Sequence, residues 1–209
     1  MRLDWVPVSA AAFVTGVMAL AFAALLAPEG SGAVDTLEMV QQQNGRWLVV
    51  AVIYFIAAVG LTLGLPSVTT LFDHRARILG LVSVLVLAMG FLGTAGYSMV
   101  MVFFRALAIT GGINSDALER ATEESGLVVF LLGWVASFVI GELLLALALL
   151  RSRAVPRWVP ITLVAHVACV VAGNLLPGQV ARASVMLLAV AFAGVAIQAV
   201  ARDSAARRG

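Results

Sequence analysis

The chain has 209 residues, of which 62% are apolar and only 11% are charged, and its formal net charge is +2. A soluble domain of this length carries about a quarter charged residues, so the composition excludes an ordinary water-soluble fold and favours a lipid bilayer as the solvent. No basic run is long enough to indicate nucleic-acid binding. The absence of lysine excludes a retinal Schiff base, and a single cysteine, Cys169, excludes an internal disulfide or a paired-thiol motif.

Six apolar stretches are each near or above the ~20 residues that cross a ~30 Å hydrocarbon core. In chain order they cover residues 5–27, 46–65, 77–105, 126–151, 158–176 and 181–201. The first stretch follows a positive start, as a signal peptide does, but it is too long for a typical signal and five more stretches follow it. We therefore expect one all-α transmembrane domain over residues 1–209, built as a polytopic bundle of six transmembrane helices.

The arginines are sorted to one side of these helices. With six spans, nine lie on the side of the termini: Arg2, Arg75, Arg77, Arg151, Arg153, Arg157, Arg202, Arg207 and Arg208. Four lie on the other side: Arg46, Arg105, Arg120 and Arg182. Under the positive-inside rule the first side is cytoplasmic. We therefore expect both termini in the cytoplasm of a multi-pass plasma-membrane protein.

Two connections carry turn signals. Pro66 to Arg77 is predicted to close the second hairpin, so the second helix should end at residue 65. In the outer loop 107–125, Asn114 or Ser115 is predicted to cap a short polar helix. That helix is expected to be a surface lid or spacer, and a ligand gate is the alternative.

Small residues at four-residue spacing predict close helix packing in lipid. Such stripes occur on three of the predicted helices: Gly90, Thr94 and Ser98; Gly133, Ser137 and Gly141; Ala165, Cys169 and Gly173. We interpret them as packing seams within the bundle. A homo-oligomer formed through these faces is the alternative.

Glu142 and His166 are ionisable groups inside apolar stretches, where a charge costs about 2.5–3.5 kcal/mol and so needs an explanation. Glu142 lies nine residues before Arg151 and His166 eight after Trp158, so both lie ~12–13 Å from the same membrane face at ~1.5 Å per residue. The two helices are consecutive and antiparallel, and are expected to be neighbours. The side chains are therefore predicted at matching depth, where they can face each other.

A carboxyl and an imidazole in lipid form either a neutral hydrogen-bonded pair or an ion pair sharing one proton. Either can relay protons or act as acid and base, and the alternative is an interhelical hydrogen bond that only holds the bundle. If the chain is an enzyme, the catalytic candidates are Glu142, His166 and Tyr54. Trp134 and Phe138, on the same predicted helix as Glu142, are candidate ligand-binding residues that would shape the binding site.

A second group of polar side chains is predicted near the outer surface. Tyr97, Arg105 and Asn174 are candidates for binding an anionic headgroup or for lining a substrate entrance, and interfacial anchoring is the alternative. One histidine with one glutamate gives too few ligands for zinc, and the two histidines lie at different depths. We therefore expect no metal and no cofactor.

The run from Gly126 to Gly173 reads GLVVFLLGWVASFVIGELLLALALLRSRAVPRWVPITLVAHVACVVAG. A Gly-rich helix that ends in LALLRSRAVPRW, followed at once by another helix, resembles small six-helix integral membrane proteins of high-GC actinobacteria, many of them uncharacterised. The likeness covers roughly the second half of the chain and is mostly topological. It implies six helices and a plasma-membrane location, and it carries no catalytic residues.

Two functions from different classes fit these residues. The first is a non-catalytic membrane protein, a binding, transport-accessory or resistance subunit whose buried polar pair holds the bundle or senses protons. The second is a small embedded enzyme, of acid/base isomerase or cyclase type, acting on a lipid or isoprenoid-like substrate. The bilayer is the expected partner in both, with a hydrophobic small molecule as a further one. An enzyme needs a cavity of several hundred Å³ at the level of Glu142.

Overall fold

The computed structural model of the chain describes residues 4–28, 32–74, 76–175 and 178–208, without the side chains of residues 174, 178, 179 and 181. Over this part of the chain the fold is helical and contains no strand, which confirms the all-α class. The helices are α1 (Trp5–Leu26), α2 (Gly32–Gln42), α3 (Asn44–Thr69), α4 (Arg77–Ile109), α5 (Ser115–Thr122), α6 (Ser125–Ser152), α7 (Trp158–Val171), α8 (Gly178–Ala183) and α9 (Val185–Ala206), with a short 3-10 helix at Gly173–Leu175.

The longer apolar helices form a closed ring. α1 packs against α3, α3 against α4, α4 against α6, α6 against α7, α7 against α9, and α9 returns to α1. Fully buried Phe13, Phe91 and Phe192 meet inside the ring, with ring centroids 4.5 Å apart for Phe13 and Phe192. The start of α1 and the end of α9 also meet, since the Arg207 guanidinium contacts the Asp4 carboxylate.

Five helices are long and apolar enough to cross a membrane: α1, α3, α4, α6 and α9. The expected sixth, α7, has 14 residues and ends at Val171 instead of residue 176, so it is ~21 Å long at ~1.5 Å per residue. Gly173 follows its C-cap Ala172 and has low helix propensity. Of the arginines counted above, Arg2 and Arg75 lie outside the described residues.

α3 differs from the prediction at Pro66. The helix does not end at residue 65 but continues through the proline to Thr69, although proline lacks the N–H that would bond four residues back. Ser9 of α1 bridges the neighbouring rung of the helix, between Leu63 and Ser67: its hydroxyl proton is shared between the carbonyls of Leu63 at 2.8 Å and Gly64 at 3.0 Å. It also accepts from the Ser67 N–H at 3.1 Å. A hydroxyl from a neighbouring helix is one of the ways in which proline is tolerated in lipid.

Replacement of Ser9 by alanine is expected to lower the free energy of unfolding by about 1–3 kcal/mol, the penalty for buried backbone groups left unpaired. The reference is Ser67→Ala, because the Ser67 hydroxyl bonds only within α3, to the Gly64 carbonyl. Thermal unfolding in detergent measures both. In a Pro66→Ala background, α3 can form its regular backbone hydrogen bonds without Ser9. The loss of stability caused by Ser9→Ala should therefore be smaller. An equal loss in both backgrounds would show that Ser9 does not compensate for the proline.

The predicted small-residue stripes are only partly packed. A Cβ on Gly141 would lie 2.8 Å from Leu87 of α4, and one on Gly90 would lie 3.0 Å from the backbone of Phe138, so these positions are packing seams between α4 and α6. Gly133 and Gly173, by contrast, have nothing within 4 Å of an added Cβ. The homo-oligomer alternative stays a prediction.

Among the described glycines, the closest approach of an added Cβ to the backbone of another helix joins α1 to α3. A Cβ on Gly16 would lie 2.4 Å from the Leu61 nitrogen, and one on Gly60 would lie 2.8 Å from the Gly16 Cα. Glycine at this crossing is therefore required by the approach of two backbones.

The short outer helix occurs as expected. Asn114 caps α5, and its side chain accepts from the Ala117 N–H at 2.9 Å. α5 exposes most of its side chains and packs against α2 and the start of α6. This geometry fits the surface spacer.

Candidate functional site

Glu142 and His166 are in direct contact. The His166 Nδ1 lies 2.7 Å from the Glu142 Oε2, and the two residues are 6% and 0% exposed. The matched depths inferred from residue counting therefore correspond to a buried pair between α6 and α7.

The hairpin between these helices sets the register of the pair. α6 is capped at its C-terminus by Arg153, which adopts the left-handed conformation (φ 52°, ψ 27°) and donates its N–H to the Leu149 carbonyl at 3.0 Å. α7 begins at Trp158, so residues 153–157 reverse the chain. A turn this short keeps the two helices antiparallel and adjacent, and residues equally far from it meet at the same level.

The second oxygen of Glu142 is buried without a partner. The Oε1 has no hydrogen bond within the described part of the chain, whereas the Oε2 contacts His166. A buried polar atom without a hydrogen bond is costly. Glu142 therefore retains an unused acceptor, or an unused donor if the carboxyl is protonated.

A cavity of about 120 Å³ adjoins the pair between α6 and α7. Its lining consists of Trp134, Val135, Phe138, Val139, Glu142, His166 and Val170. Val135 and Val170 are partly exposed on the bundle surface, so the cavity opens on the outer surface of the bundle.

Trp134 connects this cavity to α4. Its indole N–H donates to the Thr94 hydroxyl at 3.1 Å, and its ring stacks on Tyr97 with centroids 4.7 Å apart. Tyr54 meets Tyr97 edge-on at 5.8 Å. The three aromatic rings therefore contact one another in the order Tyr54, Tyr97, Trp134. Of the three, Trp134 lines the cavity, whereas Tyr54 and Tyr97 do not.

The outer polar candidates are placed differently. Arg105 donates to the Asn44 carbonyl at 2.8 Å and to its side-chain oxygen at 3.0 Å, which ties α4 to the start of α3. Asn174 belongs to the short 3-10 helix, and its side chain is outside the described residues. A ligand-binding role for either residue stays a prediction.

Sequence reasoning missed three features of the site: the valines that line the cavity, the hydrogen bond from Trp134 to Thr94, and the Glu142 Oε1 without a partner. Valines in an apolar run carry no distinguishing signal, and hydrogen bonding between helices requires the fold. In the described ranges no three His, Cys, Asp or Glu side chains are close enough to hold a metal ion.

Comparison with protein-family models, curated proteins and solved structures finds no match to this chain. The class is therefore defined by the structure alone: an all-helical bundle whose apolar helices suit a membrane, with a buried carboxyl–imidazole pair.

Proposed function

We propose that the chain is a plasma-membrane protein with six membrane-embedded helices and both termini in the cytoplasm. The ring order supports this layout, because α7 occupies a full place between α6 and α9. A helix of 14 residues suits a locally thinned bilayer. The contact between Asp4 and Arg207 supports termini on one side, and the excess of arginine favours the cytoplasmic side.

Cysteine labelling tests this layout. In a Cys169→Ala background, a membrane-impermeant maleimide should label Arg120→Cys in intact cells and should label Ala206→Cys only after the cells are opened. The single native cysteine makes this background free of other thiols. Labelling of Ala206→Cys in intact cells would overturn the cytoplasmic C-terminus.

We further propose that the protein is a non-catalytic binding, transport-accessory or resistance subunit whose Glu142–His166 pair responds to protons. The observation that carries this proposal is a buried pair at 2.7 Å with one carboxyl oxygen unused beside a cavity. With one shared proton the pair is neutral overall. A second proton would leave a net charge in hydrocarbon, which is costly. Proton uptake is therefore coupled to a shift of α6 against α7 or to entry of a counter-charge.

The volume of the cavity favours this proposal over the enzyme. A lipid or isoprenoid-like substrate needs several hundred Å³ beside the reacting groups, and the cavity at Glu142 offers about 120 Å³. A larger groove of about 480 Å³ between α4 and α6 shares Trp134 with it. Neither Glu142 nor His166 lines that groove, so it does not supply the missing space for acid/base chemistry.

Trp134 provides the readout of proton binding, because it lines the same cavity as the pair. In a variant with Trp5, Trp47 and Trp158 replaced by phenylalanine, the emission of Trp134 in nanodiscs should change as the pH is varied. The change should vanish in Glu142→Gln and in His166→Gln.

Two control variants isolate the pair. Ser137→Ala removes a nearby α6 hydroxyl that bonds within its own helix, and His74→Gln removes the other histidine of the chain. Both should leave the emission change intact. A flat profile in the parent protein, or an unchanged one in Glu142→Gln, would overturn the proton response.

A further inference from the structure

A second cavity, of about 420 Å³, lies in the hairpin that joins α6 to α7. Its lining consists of Leu149, Leu150, Arg153, Val155, Pro156, Arg157 and Pro160. We call it the arginine cavity, because two guanidinium groups are its only charged lining groups among the described residues. Its volume is within the ~300–1,000 Å³ range of small-molecule sites.

Both arginines are free to bind an anion. Arg153 and Arg157 are exposed, and neither has an ion-pair partner in the described part of the chain. The backbone does not call for arginine at residue 153, since its left-handed conformation (φ 52°) suits glycine better. Residue 153 is therefore an arginine although the backbone conformation of the turn favours glycine.

The arginine cavity lies at the boundary between apolar and polar surroundings. On one side are the apolar ends of α6 and α7, including the exposed Leu150, and on the other is the polar turn. Trp158, next to Arg157, is half exposed, and tryptophan prefers the headgroup region. An occupant that meets both walls has an anionic group for the arginines and an apolar chain for the leucines.

We propose that the arginine cavity binds the phosphate headgroup of an anionic phospholipid. Guanidinium groups bind phosphate oxygens through paired, charge-assisted hydrogen bonds, and basic cavities between transmembrane helices bind anionic headgroups. We favour a lipid over free phosphate because the apolar wall of the cavity can contact an acyl chain. This inference rests on the membrane insertion proposed above, but not on the proton response of Glu142.

The test measures lipid binding to the whole protein in a neutral detergent, by native mass spectrometry and by thermal unfolding. Phosphatidylglycerol should bind one molecule per chain and raise the unfolding temperature. Phosphatidylcholine, whose headgroup has no net charge, and inorganic phosphate alone should bind at least about tenfold more weakly, a difference of about 1.4 kcal/mol.

The matched variants are Arg153→Gly, Arg157→Gln and Arg208→Gln. Arg153→Gly keeps the turn, because glycine adopts its left-handed conformation without strain, yet it should weaken phosphatidylglycerol binding about tenfold, or about 1.4 kcal/mol. Arg157→Gln should act in the same direction. Arg208→Gln removes an exposed charge outside the cavity and should leave the binding unchanged.

Three outcomes would overturn the inference: equal binding of the two lipids, wild-type affinity in Arg153→Gly, or inorganic phosphate binding as tightly as the anionic lipid. Failure here is distinguishable from failure of the proton response. Glu142→Gln should bind phosphatidylglycerol normally, and the arginine variants should retain the pH-dependent emission of Trp134.

Discussion

Replacing Gly16 with alanine should destabilise the protein by about 3 kcal/mol or more, the upper end of the range for overpacking. The added methyl would lie 2.4 Å from the Leu61 nitrogen and 2.7 Å from the Gly60 carbonyl carbon. Both are backbone atoms, which cannot rotate aside as a side chain can. α1 and α3 therefore have to move apart, and Phe13, which packs on Gly64 and Phe192 at the centre of the ring, moves with α1.

Thermal and denaturant unfolding in detergent, with circular dichroism as the signal, measure this effect. Gly133→Ala is the matched control, since it is also a helical glycine in an apolar stretch but has nothing within 4 Å of an added Cβ. It should be neutral or stabilising by up to about 1 kcal/mol, the helix-propensity difference between glycine and alanine. Equal stability of the two variants would contradict the close backbone crossing of α1 and α3.

The sequence contains a signal for this crossing in addition to the three small-residue stripes named above. Gly60 and Gly64 are four residues apart, the spacing that brings transmembrane helices together. In the structure Gly60 meets Gly16, and Gly64 meets Phe13. Spacing alone identifies a face that can pack closely but not the helix that packs there, which is why Gly133 belongs to a similar stripe and yet faces an open groove.

Helix starts were easier to predict from sequence than helix ends. The starts predicted at residues 5, 77, 126 and 158 agree with the structure to within one residue, because charge, tryptophan and capping signals lie next to them in the chain. The end of α3 was wrong because the hydroxyl that compensates for Pro66 comes from Ser9 on another helix. Compensation between helices leaves no mark in the local sequence.

The candidate site was predictable to the extent that depth could be counted. Glu142 and His166 flank a short turn, so residue numbers give their level in the membrane. Tyr54 was a candidate for the same site, but residue numbers do not give the direction in which a side chain points, and Tyr54 packs on Tyr97. The depth of a residue in the membrane follows from the sequence, whereas the direction of its side chain depends on how the helices pack.

A double-mutant cycle on Glu142 and His166 is expected to give the second large effect. His166→Leu leaves a fully buried carboxyl group with neither oxygen paired within the described residues. Breaking a buried ion pair by removing one partner costs about 3–5 kcal/mol. Replacing both residues with leucine removes the uncompensated charge together with its partner, so the double variant should be more stable than His166→Leu alone.

The size of the coupling distinguishes the two descriptions of the pair. An interhelical hydrogen bond between neutral groups in a bilayer contributes about 0.6–2 kcal/mol, and a larger coupling energy indicates a charged pair. Reversible unfolding in mixed micelles gives the free energies of unfolding of the wild type, the two single variants and the double variant. Thr162→Val is the reference for a change on α7, because the Thr162 hydroxyl bonds only within that helix. If the effects of the two single leucine variants add in the double variant, the pair contributes no coupling, and neither the proton response nor a structural link between α6 and α7 can depend on it.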